Sequence, residues 1–166
     1  MADHESIRKL AEALVNELSV TGKTIATAES CTGGWIGKAI TDIPGSSAVF
    51  GYGVVSYANG AKELIIGVQN ASLEKHGSVS AQVVGEMAKG ALRLSGADIA
   101  VAVSGVAGPS GGTKEKPIGT VWFGWAVRDG SNALVDTTCE YFTGDRELIR
   151  EASVAYALQG VRERIK

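Results

Sequence analysis

The sequence predicts an α/β fold: one three-layer domain, with a mixed, mostly parallel sheet flanked by helices on both faces. Three observations predict it. Short β-branched or apolar runs alternate with helical stripes through most of the chain. Ile99-Ala100-Val101-Ala102-Val103 is a continuous apolar run, as expected of a strand covered on both faces. Two strand-like runs near the C-terminus are joined only by Asp129-Gly130-Ser131-Asn132, which reads as a hairpin. A length of 166 residues, 45% hydrophobic and 20% charged, suits one domain with its own core. With no repeat, linker or low-complexity segment, residues 1–166 read as a single domain.

In chain order, Ser6 to Leu18 carries Ile7, Leu10, Leu14 and Leu18 on one helical stripe. Lys23 to Ala28 is short and β-branched enough for a buried strand, and a helical stripe follows from Thr32 through Trp35, Ile36, Ala39 and Ile40 to the stop Ile43-Pro44-Gly45. Val49 to Tyr57 is a second strand, with Gly51 and Gly53 marking a bulge. Asn59-Gly60 turns into a short helix with Lys62, Leu64, Ile65 and Ile66, closed by Gly67. Ser80 opens a helix to Leu94, with Val83, Val84, Met87, Ala91 and Leu94 inward and Gly96 as its C-terminal stop. After the strand at Ile99–Val103 comes a glycine-rich loop from Gly105 to Gly112. The hairpin strands run from Gly119 to Arg128 and from Leu134 to Phe142, and Asp145 caps a last helix reaching about Arg164.

Composition narrows the function. A net charge of −2 without a basic run argues against nucleic acid or a membrane surface as partner. No segment approaches the roughly 20 apolar residues of a membrane span, and no signal pattern opens the chain, so a cytoplasmic setting is expected. Two cysteines, Cys31 and Cys139, make neither a disulfide framework nor a zinc site. Of the two histidines, His4 lies in a terminus expected to fray, and His76 before Gly77 fits a helix C-terminus. Neither points to a metal, and no cofactor is expected. The glycine loop lacks the Walker Gly-Lys-Ser/Thr, Gly51-Tyr52-Gly53-Val54-Val55-Ser56 fails the dinucleotide fingerprint, and Ser104 lacks the glycine two residues earlier that a nucleophile elbow needs. Ser72-Leu73-Glu74-Lys75 matches a serine–lysine tetrad by letter only. Trp122 and Trp125 fall on opposite faces of one strand.

Ser30, in Thr27-Ala28-Glu29-Ser30-Cys31-Thr32-Gly33-Gly34, sits where a strand hands over to a helix. A hydroxyl there lies beside unpaired backbone N–H groups that can hold a phosphate or stabilise an oxyanion. The same letters also describe an ordinary N-cap serine before a glycine turn. If Ser30 is a nucleophile, its base cannot be a histidine of this chain, and a buried lysine becomes the substitute. Lys62 follows a strand that could pair near Ser30, with Tyr57 placed to relay a proton or hold the amine; its other reading is a solvated helix residue. Cys31, as a buried small residue, fits core filler better than nucleophile. Arg146 and Arg150 lie one turn apart, suited to a phosphate or carboxylate, or to Asp145 and Glu147 on the surface.

These residues resemble a known family. Thr27 to Gly34, Gly53 to Lys62, His76-Gly77-Ser78-Val79-Ser80, Ser104 to Gly112, Glu115 to Val121 and Gly144-Asp145-Arg146 are similar, in order and over essentially the whole chain, to the nicotinamide-nucleotide amidohydrolases, the C-terminal domain of the competence/damage-inducible CinA family in stand-alone form. The resemblance implies deamidation of nicotinamide mononucleotide to nicotinic acid mononucleotide and ammonia, in pyridine-nucleotide salvage and without a metal. It implies Ser30 as nucleophile, Lys62 as base and Tyr57 as its assistant. It places Glu29, Thr32, Gly33, Gly34, Asn59, Ser104, Gly105, Gly108 and Arg146 around the substrate, with backbone N–H groups near Thr32, Gly33 and Gly34 on the oxyanion. It suggests a homodimer, for which the apolar C-terminal helix offers a surface. Three positions depart from the family pattern: Gly60 for glutamate, Ser110 for aspartate and Ser104 for threonine. A non-catalytic nucleotide-binding module and an amidohydrolase on another amide nucleotide are the competing readings.

Overall fold

The computed structural model describes residues 3–166. Five strands form one sheet: β1 (Ile25–Glu29), β2 (Phe50–Val55), β3 (Ile99–Gly105), β4 (Thr120–Asp129) and β5 (Asn132–Tyr141), in the order β2-β1-β3-β4-β5. β1 pairs in parallel with β2 and β3, and β4 runs antiparallel to β3 and β5, so β4 alone opposes the common direction. The mixed sheet read from the sequence is observed, with two of its four strand pairings parallel and two antiparallel.

Among the described residues, six α-helices surround the sheet: α1 (His4–Thr21), α2 (Trp35–Thr41), α3 (Asn59–Ile66), α4 (Asn70–His76), α5 (Ala81–Ser95) and α6 (Arg146–Arg164), with one 3-10 turn at Ser46–Ala48. The strand sequences assign the layers. In β1 and β3, Ile25, Ile99, Val101 and Val103 point to a core with α1, α2 and α6, while Ala26, Ala28, Ala100 and Ala102 point to a second core with α3 and α5. Alternation of large and small residues within two apolar runs therefore sets a thick layer on one side and lets α5 press close on the other. A Cβ on Gly124 of β4 would lie 2.5 Å from the Val84 carbonyl oxygen of α5, so the helix backbone rests almost on the strand. Trp125 and Trp122 fall on opposite faces as their spacing requires, Trp125 in the first core and Trp122 against the second.

Several local expectations are borne out. Ser80 caps α5 by accepting from the Val83 N–H, Gly96 ends it at φ 68°, and Asp145 caps α6 by accepting from the Leu148 N–H. Gly51 is the extra residue of a bulge: Phe50 pairs with Ile25 and Tyr52 with Ala26. The hairpin turns on Gly130 at φ 58°, with Asp129 opposite Asn132.

Other elements differ. α1 begins at His4, because Asp3 accepts from the Ser6 N–H while the Ser6 hydroxyl accepts from the Asp3 N–H, a reciprocal cap. His4 is thus helical rather than frayed, and it packs on Trp35 and lies 3.3 Å from the Glu151 carboxylate. α4 was not placed as an element above, although His76 before Gly77 does end a helix, as read; it is a short polar helix of about two turns anchored by buried Leu73. α2 starts at Trp35, three residues later than the stripe suggests, with Gly34 at φ 96° in the cap position. Ser30 is therefore not its N-cap. The apolar side of α6 (Ile149, Val154, Ala157, Leu158 and Val161) is buried in the chain's own core, which removes the helical surface expected for a partner. Five of the exposed large apolar side chains, Tyr52, Val55, Tyr57, Leu64 and Ile65, come from edge strand β2, from α3 and from the segment between them.

Candidate active site

The three parallel strands end side by side, and their carboxyl ends build the site. β1 lies between β2 and β3, and the chain leaves it towards one neighbour and returns on the other, the arrangement that opens a crevice at strand ends. Ser30 extends the ladder by one residue, its N–H donating to the Val103 carbonyl at 3.0 Å, and the Ser56 N–H donates to the Glu29 carbonyl at 2.9 Å. The backbone at Ser30 is thereby fixed on both sides.

Lys62 arrives from α3, whose start is set by the Lys62 N–H donating to the Ala58 carbonyl. Its side chain is 1% exposed and turns inward beneath the strand ends. The amine donates to the Ser56 carbonyl at 2.8 Å and the Tyr57 carbonyl at 3.0 Å, and lies 3.2 Å from the Ser30 Oγ. None of these partners is a carboxylate, so burial lowers the Lys62 pKa from its ordinary value without a salt bridge to offset it. A neutral amine has two N–H groups and one lone pair. With two carbonyls taking the N–H groups, the tetrahedral nitrogen presents its remaining direction to the Ser30 hydroxyl.

The glycine turn completes the arrangement. The Gly33 N–H donates to the Ser30 carbonyl at 3.0 Å and so does not face the crevice, whereas the N–H groups of Cys31, Thr32 and Gly34 have no acceptor among the described residues. Gly33 and Gly34 hold φ values of 63° and 96°, conformations that side chains other than glycine rarely adopt. Beneath them, Glu29 is 1% exposed and its carboxylate accepts from the Thr32 hydroxyl and the Ile36 and Gly37 N–H groups. It does for α2 what a capping side chain would do, taking two of the orphan donors at the helix start. Glu29 and the fully buried Thr32 thus brace the turn from inside, away from the open side where a substrate would sit.

Tyr57 divides its contribution. Its carbonyl holds Lys62, but its phenol is exposed and accepts from the Arg146 guanidinium at 3.2 Å, so the ring does not reach the amine. Arg146 also donates to the Gly108 carbonyl at 2.7 Å, tying the glycine loop, the β2–α3 turn and the start of α6 into one rim. Ser104, 2% exposed, and Gly105 end β3 at the floor; a Cβ on Gly105 would lie 2.7 Å from Val121. Asn59 is exposed at the first position of α3. At Gly60 a Cβ would meet nothing within 4 Å, so the departure there opens no backbone conflict.

One residue that touches the turn was visible in the sequence only as half of a pair. Arg150 donates to the Cys31 carbonyl at 3.1 Å and the Thr32 carbonyl at 3.0 Å and lies 5.3 Å from the Trp35 ring centre. Its i, i+4 spacing from Arg146 was the signal; which of the two faces the turn depends on the helix's rotation. Cys31 itself is 6% exposed in the core, and burial pushes its thiol up to about 12, which leaves it protonated and inert. Ser72 bonds Glu86, not Lys75, so the tetrad match has no structural meaning. Among the described residues, the histidine and carboxylates close enough to share a cation are His4, Glu147 and Glu151, a group that includes neither Ser30 nor Lys62.

Known proteins share this fold and much of this sequence. The chain is 52% identical over 159 residues to the nicotinamide-nucleotide amidohydrolase PncC of Escherichia coli K12, covering 96% of this chain and 94% of that protein. It is 51% identical to a putative competence-damage inducible protein of Symbiobacterium thermophilum, of which it spans 37%. The competence/damage inducible protein CihA from Agrobacterium tumefaciens superposes with a TM-score of 0.91 at 42% identity, over 97% of this chain and 96% of that one. A competence damage-inducible protein A from Klebsiella pneumoniae gives the same TM-score at 38% identity, covering 96% of each. The CinA C-terminal domain profile matches residues 7–165, and with relatives this similar along its whole length the chain belongs to the CinA C-terminal domain family.

Proposed function

We propose that this chain is an amidohydrolase that converts nicotinamide mononucleotide to nicotinic acid mononucleotide and ammonia, in pyridine-nucleotide salvage, with Ser30 as nucleophile and Lys62 as general base. The observation that carries the reading is a buried amine, without a counter-charge, 3.2 Å from the hydroxyl of a serine at the end of a central strand. The name of the Escherichia coli relative supplies the substrate class.

The steps follow from the contacts. Lys62 takes the Ser30 proton on its lone pair as Oγ attacks the carboxamide carbon. The oxygen of the tetrahedral intermediate gains negative charge beside the open N–H groups of Cys31 and Gly34. Lys62, now an ammonium, returns the proton to the departing nitrogen, and ammonia leaves an acyl ester on Ser30. Water, deprotonated by the same amine, then attacks the ester and frees the carboxylate product and Ser30. The rim made by Arg146, Tyr57, Asn59 and Gly108 supplies a cation and hydrogen-bonding groups for the ribose phosphate, above a floor of Ser104 and Gly105. No step calls for a metal.

Ammonia release from nicotinamide mononucleotide tests this directly. Ser30→Ala and Lys62→Met are each expected to lower kcat by about a million-fold, as removal of a nucleophile or its base does in a serine hydrolase, while wild-type turnover survives a chelator. Binding of the mononucleotide by the wild type with no ammonia formed would overturn the reading and leave a nucleotide-binding module. Rapid turnover of a different amide nucleotide, lost in both variants, would keep the chemistry and change the substrate.

We further propose a cytoplasmic homodimer joined through β2 and α3; among the described residues no helix is long and apolar enough to cross a membrane. Leu64 is 88% exposed and its neighbour Ile65 44%, on the helix that follows the edge strand. Leu64→Asp is expected to shift the sedimentation mass from two chains towards one.

A further inference from the structure

We infer that Arg150 is a positioning residue for the reaction, orienting and polarising the Cys31 N–H as an oxyanion donor through two linked peptide groups. This rests on the Ser30–Lys62 reading. The linkage can be followed atom by atom. Arg150 donates to the Thr32 carbonyl at 3.0 Å. The other end of that peptide group is the Gly33 N–H, which donates to the Ser30 carbonyl at 3.0 Å. The other end of that second group is the Cys31 N–H, which has no acceptor among the described residues. A trans peptide is planar, with its C=O and N–H pointing in opposite directions, so a cation held on the first carbonyl fixes the direction of the last N–H. Each bond in such a chain also polarises the next, by about 10–30% per bond.

The guanidinium is built into this place. Its Nε holds the Cys31 carbonyl at 3.1 Å, and its plane lies near Trp35. A Cβ on Gly33 would stand 3.5 Å from the guanidinium, so the glycine turn and the arginine fit against each other. A lysine in its place, with one ammonium, could not hold both carbonyls in a fixed fork. Arg150 also comes from the face of the sheet opposite α3, so Lys62 prepares the nucleophile from one side while Arg150 prepares the oxyanion donor from the other.

The test is kinetic and uses the whole chain. Arg150→Met is expected to lower kcat for nicotinamide mononucleotide by about 10- to 100-fold, below the loss from deleting a whole oxyanion donor, with KM changed less than threefold. The aldehyde analogue of nicotinamide mononucleotide, which forms a tetrahedral adduct with Ser30, should lose affinity in the same proportion as kcat/KM, because a group acting only in the transition state affects both alike. A residue that merely fastened α6 to the turn would not produce that proportionality. A kcat loss below fivefold, a loss confined to KM, or unchanged affinity for the aldehyde would each overturn the inference. Should Arg150→Met fail to fold, Arg150→Gln, which keeps one donor without charge, is read by the same three limits. Ser30→Ala, assayed alongside, separates the outcomes. If it is inactive while Arg150→Met is fully active, only the inference falls; if Ser30→Ala still turns over, the hydrolase reading falls first.

Discussion

At the scale of single residues, the site depends on where a few polar groups find partners. Lys62 could be chosen from the sequence as a base because the chain has no usable histidine, but nothing in the letters says that its amine is held by two backbone carbonyls. Tyr57 shows the same limit: its position beside the lysine was legible, whereas the division between a carbonyl on Lys62 and a phenol on Arg146 depends on a side-chain rotamer. Glu29 was legible as part of the motif and not in its role. The family resemblance placed it around the substrate, whereas its carboxylate takes three donors inside the turn. Glu29→Gln replaces one acceptor oxygen with an NH2 facing an N–H or hydroxyl, and hydrogen bonds to a charged acceptor contribute about 1.5–3 kcal/mol each. Chemical denaturation is expected to show a stability loss of about 2 kcal/mol, and a variant as stable as the wild type would remove Glu29 from the account of the turn.

Elements were legible where local signals agree. The α5 cap, the inward stripe Val83, Val84, Met87 and Ala91, and the glycine stop all point the same way, and the element runs within one residue of the span read from its letters. Leu94, read as inward, is 45% exposed in the last turn, where Leu92 is buried instead. α2 was misplaced because Thr32, Gly33 and Gly34 continue the helical spacing by letter, while positive φ at both glycines keeps the backbone out of the helix until Trp35. Contact between α3 and α5 could not be read at all. A Cβ on Gly90 of α5 would lie 1.9 Å from the Ile66 carbonyl oxygen at the end of α3, so the helix carrying Lys62 is seated against a bare backbone. Alanine normally favours a helix over glycine by about 1 kcal/mol. Here Gly90→Ala is expected to destabilise by about 1–3 kcal/mol through overpacking and to lower kcat as α3 shifts. Thermal melting and turnover check it, and a stabilised, fully active variant would contradict that packing.

Over the whole molecule, a buried lysine without a counter-ion couples the site to stability. Its pKa is lowered by burial from the ordinary lysine value of 10.5, so between the lowered value and 10.5 the unfolded chain binds a proton that the native chain does not. Stability therefore rises with pH across that window and is lowest, for this group, where both states are protonated. Lys62→Met is expected to remove this rise when denaturation midpoints are compared from neutral to alkaline pH, and an unchanged slope would place the charge elsewhere. The kcat/KM of the wild type should climb through the same lowered pKa, since only the neutral amine accepts a proton. By itself the sequence determined the layer order and the chemistry available. Alternating large and small apolar residues in β1 and β3 fix which face each helix can approach, and the residue types admit a serine–lysine pair and no histidine triad. Only the tertiary structure decided which groups meet. A hydrogen bond between residues far apart in the chain depends on strand register and helix rotation, and both are set by packing across the sheet.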